Sequence, residues 1–154
     1  MTVGSEAPIN TDMTRARLAK GMVDGDSDFT IPDNPSLATL GTVVNEATKG
    51  RVRVTFTAGA GNVQGNGVVG GGTFANMIDS AMALSVMTLL DKGTICSTVS
   101  LTVNMMRSGL PGAFTAVAKV DKIGRRIAFA AAELADAQGR VVATATSSLA
   151  IIET

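Results

Sequence analysis

Two features of the segment Gln64 to Ser80, QGNGVVGGGTFANMIDS, are equipped for catalysis. One is a glycine run ending where a helix must begin. Unpaired backbone N–H groups and the positive end of the helix dipole meet there, and together they favour an anion or a carbonyl oxygen. Gly71 and Gly72 would let a substrate approach that backbone closely. The other feature is Asp79, a carboxylate between Ile78 and Ala81 in an otherwise apolar helix. Burial of such a group is costly unless a partner compensates it. Each feature also has an ordinary reading: the glycines as a flexible loop, Asp79 as a carboxylate satisfied by local hydrogen bonds. The string GNGVVG fits a dinucleotide-binding fingerprint at Gly65, Gly67 and Gly70, but that fingerprint needs a strand entering the turn and βαβ units after it. Here four strand-like segments follow instead.

Composition narrows the chemistry. Histidine is absent from the 154 residues, which excludes a Ser-His-Asp triad, a Cys-His pair and histidine metal sites. Acid-base work would fall to carboxylates, amines, hydroxyls or water. The single cysteine, Cys96, excludes an internal disulfide and clustered-thiolate zinc sites, and no metal or cofactor is implied. Basic and acidic residues balance at 13 each, and the aromatics are five phenylalanines, so nucleic acid is not an expected partner. No apolar run reaches the length of a membrane span, and Met1 to Asn10 lacks the pattern of a signal peptide. A cytoplasmic protein is expected.

The elements that must position these residues follow from periodicity. The length suits one domain, read as residues 37–154 behind an amino-terminal extension, 1–36, with a weak helical stretch over Thr11 to Met22. Leu40 to Ala47 and Arg51 to Thr57 read as a hairpin about a Thr-Lys-Gly turn. Ala58 to Gly72 is a glycine-rich loop. Thr73 to Leu90, free of Gly and Pro and apolar around nearly its whole circumference, reads as one long buried helix. Period-two patterning follows, with Val99, Leu101, Val103 and Met105 alternating against Thr98, Ser100, Thr102 and Asn104. Ala113 to Lys122, Arg126 to Asp136 and Arg140 to Ile152 complete four strands, expected to be sequential antiparallel neighbours. The fold class is α+β: an antiparallel sheet curled around one long central helix.

These residues resemble the hot-dog-fold acyl-CoA thioesterases of the phenylacetate-pathway, PaaI-like type. Members carry an Asn or Gln, a Gly three residues on, a His-Gly-Gly, and an Asp in the helix that follows. Gln64, Gly67, Gly71 with Gly72, and Asp79 stand at those positions, with Gly70 in the histidine slot. The resemblance runs from Leu37 to Ile152, through Thr98 to Arg107, the turn at Gly124 and Arg125, and the Asp136 to Gly139 turn.

The resemblance implies hydrolysis of an aryl or short-to-medium acyl-CoA by a homodimer or a dimer of dimers, the site lying between subunits. It implies Gly71 N–H as oxyanion donor, Gln64 holding the acyl carbonyl or the water, and Asp79 as general base or nucleophile. Thr98 would orient the water, or else be a strand hydroxyl facing solvent. Gly70 and Gly72 would border the substrate. Arg107, Lys122, Arg125 and Arg126 are candidates for coenzyme A phosphates or else simply solvate strand ends, and Arg107 reads as the latter. Met77, Met82, Met105 and Met106 would line an adaptable pocket or, on the plainer reading, belong to the core. A hot-dog dehydratase would need the missing histidine. A non-catalytic acyl-CoA-binding module is the alternative, predicting binding without turnover.

Overall fold

The computed structural model describes residues 11–154. They open with helix α1 (Thr11–Asp24), the short strand β1 (Phe29–Thr30) and helix α2 (Pro35–Thr39). Leu18 of α1 and Ile31 are buried in the same hydrophobic core as the later elements. Pro35 suits the first turn of α2, and the Asn34 side chain accepts the Leu37 N–H at 3.3 Å. The first long strand, expected from Leu40, begins at Val43. Leu40 and Gly41 close α2 instead, with Gly41 at φ +57° donating to Ala38 O.

Strands β2 (Val43–Thr48) and β3 (Arg51–Ala58) form the expected hairpin, turning at Gly50 with φ +75°. Val52, Val54, Phe56 and Ala58 face the core, and Arg51, Arg53 and Thr57 face outward. The glycine-rich segment after β3 is more ordered than a plain loop. It makes a 3-10 turn over Ala60–Asn62 and a small hairpin closed by a bridge between Val63 and Val69.

Helix α3 spans Gly71–Met87, where Thr73 to Leu90 was expected. The two glycines become its first residues because Gly70, in an extended conformation, caps it through its carbonyl. It stops early at Thr88, whose Oγ1 donates to Ser85 O at 2.6 Å and accepts the Gly50 N–H at 2.7 Å. This ties the end of the helix to the β2–β3 turn. Phe74, Met77, Ile78, Ala81, Met82, Leu84 and Val86 are buried, so α3 is the axis of the core.

Strands β4 (Thr94–Met105), β5 (Gly112–Ile123), β6 (Ile127–Asp136) and β7 (Val141–Glu153) complete a wholly antiparallel seven-stranded sheet ordered β1-β2-β3-β5-β6-β7-β4. Helix α3 packs against β3, β4, β5, β6 and β7. The expectation of four sequential neighbours holds for β5, β6 and β7 and fails for β4. Six residues, 106–111, separate β4 from β5, too long for a tight hairpin, and β5 pairs with β3 instead. Strand β4 takes the far edge beside β7. At the β6–β7 turn, Asp136 accepts the Gln138 and Arg140 N–H groups and pairs with the Arg140 guanidinium at 2.7 Å. That hydrogen bond holds its carboxyl below the ordinary carboxylate range.

The 106–111 connection is clamped by Gly109, whose carbonyl accepts the Val69 N–H at 2.9 Å. A Cβ there would stand 2.8 Å from the Phe114 ring and 3.0 Å from the Phe74 ring, two rings already packed with centroids 5.0 Å apart. Neither buried ring can swing away. Gly109→Ala is expected to cost about 1–3 kcal/mol, read as a lowered urea midpoint with an unchanged slope.

Candidate active site

Asp79 sits in the middle of α3, half-buried beside the fully buried Ile78, at a place where the helix meets the edge strand β4. This partial cover agrees with a helix buried on most, not all, of its sides. The Thr98 hydroxyl of β4 donates to Asp79 Oδ1 at 2.9 Å. Among the described residues nothing is hydrogen-bonded to Oδ2.

Thr98 reaches Asp79 because β4 carries a bulge. Its register against β7 slips between Thr98 and Ser100, leaving Val99 as the extra residue, 64% exposed. Before the bulge, Cys96 and Thr98 face α3; after it, Leu101, Val103 and Met105 do. An unbroken alternation would put Val99 with Leu101 on the inner face and turn Thr98 outward. The bulge reverses both, as one inserted residue must.

The other candidate group is the first turn of α3. Thr73 and Phe74 N–H donate to Gly70 O at 3.0 and 3.4 Å, whereas Gly71 and Gly72 N–H have no acceptor among the described residues. Both glycines are exposed, so two donors at the positive end of the dipole face outward. Gly70 is fixed by its N–H, which donates to Asn62 O at 2.9 Å. Gln64 lies seven residues before Gly71, where the small hairpin turns: its N–H donates to Val68 O, its carbonyl accepts the Gly67 N–H, and Gly67 has φ +76°. The Gln64 side chain is exposed and makes no hydrogen bond to a described residue.

Within one chain these groups do not converge. Gly71 and Asp79 are eight residues apart on one helix, about 12 Å at 1.5 Å per residue. A single thioester carbonyl cannot touch both. Each does abut β4, Asp79 through Thr98 and Gly71 through Met105, whose methyl carbon lies 3.4 Å from where a Gly71 Cβ would stand. Met77 and Met82 are core residues, but Met105 and Met106 are 49% and 63% exposed, so the plainer reading of the four methionines fails for the second pair. Sequence periodicity could not separate them, because their exposure follows from the end of β4 lying at the sheet's edge.

Arg125 and Arg126 line a cavity of about 350 Å³ with Thr94, Ile151, Ile152 and Glu153, at the end of β4 away from Gly71. Arg107 and Lys122 are exposed. Among the described residues, no three of His, Cys, Asp and Glu form a group able to hold a metal, and no helix is long and apolar enough to cross a membrane.

The profile of the thioesterase superfamily matches residues 66–143, just over half the chain. Among solved structures, a phenylacetic acid degradation-related protein from Ralstonia eutropha JMP134, described as a candidate thioesterase, is 26% identical with a TM-score of 0.74. The match covers 86% of this chain and 98% of that one. A thioesterase family protein from Silicibacter pomeroyi is 24% identical, with a TM-score of 0.76 and coverages of 91% and 99%. The Escherichia coli PaaI protein of the phenylacetic acid degradation operon is 22% identical, with a TM-score of 0.73 and coverages of 90% and 94%. No curated protein matches the chain by sequence.

Cys96, two residues before Thr98, reports on Asp79. Burial, and next the negative charge of Asp79, push its thiol up to about 11. The thiolate is the reactive form, so iodoacetamide is expected to alkylate native Cys96 slowly at pH 8 and faster as pH rises through that value. Removing the charge removes one cause of the elevation. In Asp79→Asn the pH–rate curve is expected to move to lower pH, as followed by mass spectrometry.

Proposed function

Because the chain belongs to the thioesterase superfamily, and is a thioester hydrolase with the hot-dog fold, we propose that it cleaves acyl-CoA thioesters to the free acid and CoA at a site shared by two subunits. The observation that carries this reading is that both halves of the chemistry abut the open edge strand. Strand β4 is twelve residues long and ends the sheet, so its outer edge is a template for another strand. Antiparallel self-pairing centred between Leu101 and Thr102 sets Thr98 opposite Met105 of the partner subunit. Asp79 then meets Gly71 of the partner subunit, and the separation within one helix is no obstacle.

In this arrangement the thioester carbonyl accepts from the Gly71 N–H, and the helix dipole stabilises the oxyanion as it forms. Gln64, exposed on the hairpin leading into the same helix, holds the acyl carbonyl or the attacking water. Thr98 occupies Asp79 Oδ1, so Oδ2 takes the proton of the water that attacks the carbonyl carbon. The carbon–sulfur bond breaks, the acid is released, and the proton passes to the departing CoA sulfur. Attack by Oδ2 itself, giving a mixed anhydride that water then cleaves, uses the same two groups and yields the same products. Gly70 and Gly72 border the carbonyl without side chains in the way. Arg125 and Arg126 serve the CoA phosphates. Thr94, which shares their cavity, is four residues from Thr98, about 13 Å along the strand.

The test is thiol release from a panel of acyl-CoA esters by wild type and two variants. Asp79→Asn is expected to lower kcat by at least about 100-fold, the scale of general-base loss. Gly71→Pro deletes one N–H while suiting the first helical position and the extended Gly70 before it, φ −66° and ψ 142°. Its kcat is expected to fall by about 100- to 1,000-fold with the thermal midpoint retained. Full activity in both variants would rule the site out.

A further inference from the structure

We propose that Met105 forms the acyl subsite of this centre and makes it selective for straight-chain aliphatic acyl groups over acyl groups branched or ringed next to the carbonyl. This rests on the thioesterase reading above. The Met105 Cε, Sδ and Cγ atoms lie 3.4, 3.8 and 4.0 Å from the point where a Gly71 Cβ would stand. On this reading a carbonyl held by the Gly71 N–H lies beside this side chain, which then borders the first carbons of the acyl group. A methylene fits beside the thioether; a ring or branch on the first carbon collides with it.

The surroundings point the same way. Met105 is at the end of β4, with its side chain on the helix side of the strand against Gly71, next to where the carbonyl is held. Met106, the next residue, and Leu110, in the same connection, are 63% and 73% exposed, so further apolar side chains follow the end of β4. Unbranched, polarizable methionine side chains adapt to a flexible chain of variable length. No aromatic ring is available to stack on an aryl group there. Phe56, Phe74 and Phe114 are buried in the core, and Phe29 packs against Gly21 of α1. Phe129 is exposed, but it shares a depression with Ser100, Thr102 and Ser148, residues that alternate with the core-facing ones.

The experiment compares kcat/KM for acetyl-CoA, octanoyl-CoA and benzoyl-CoA with wild type, Met105→Ala and Met105→Leu, with thermal midpoints recorded for all three. Wild type is expected to prefer octanoyl-CoA over both others. Met105→Ala is expected to lose about tenfold on octanoyl-CoA, a smaller factor of about fourfold on acetyl-CoA, and to gain on benzoyl-CoA. Tenfold is the loss of roughly two methylene contacts from a long chain, whereas acetyl offers the side chain its single methyl group. Met105→Leu, of similar bulk, is expected to keep the octanoyl preference. An equal loss on acetyl-CoA and octanoyl-CoA, or a wild-type preference for benzoyl-CoA, overturns the acyl subsite while leaving the thioesterase reading in place. Absence of turnover on all three esters overturns both.

Discussion

Burial of α3 is the constraint on which the rest of the molecule depends. From Met77 to Leu90 no residue is fully exposed, so this segment must be covered on almost every side. A flat sheet would cover one side only. Six strands of the antiparallel sheet lie in a continuous order from β2 to β4, and their inward residues, including Val54, Phe114, Ala130, Leu134 and Leu149, close around the helix. The small residues on β5 and β6, such as Ala116, Ala118, Ala128 and Ala132, allow that close approach.

A helix held so tightly has few places to present chemistry. Its carboxyl end is closed by Thr88 and the Gly50 turn, which leaves its amino end and the one stripe along β4. At the amino end the glycines leave two N–H groups without an acceptor among the described residues. Along β4, the bulge at Val99 turns one hydroxyl toward Asp79 and, six residues on, lets Met105 turn toward Gly71. The edge strand thus links the two groups that the helix itself holds apart. A half-exposed carboxylate with one donor is also electrostatically affordable, where a fully enclosed one would incur a large desolvation penalty.

Much of this was legible in the residues. The all-round apolar pattern located α3, and the period-two runs located β3, β5, β6 and β7. The glycine run followed by Asp79 marked the segment where the unpaired N–H groups and the carboxylate stand. What could not be read were features fixed by tertiary pairing. The place of β4 at the far edge depends on β5 being taken by β3, which no local pattern encodes. The bulge changes the face of the residues on one side of it relative to those on the other, and the period-two reading from Thr98 to Met105 runs straight through it. The order of 60–69 comes from backbone hydrogen bonds, to Gly109 and within the hairpin, that a glycine count hides. Leu18 of α1 reaches the core although its helix carries a weak apolar pattern.

The central claim, that one site is assembled from two chains, is tested most directly by subunit complementation. Asp79→Asn and Gly71→Pro chains would be unfolded together, refolded as a mixture and assayed for octanoyl-CoA hydrolysis beside each variant alone. In a mixed dimer one site unites the intact Gly71 of one chain with the intact Asp79 of the other, while the second site carries both defects. With random pairing in a two-fold symmetric dimer, about a quarter of wild-type activity should return. A mixture no more active than its parents, with mixed dimers shown to form, would contradict the shared site.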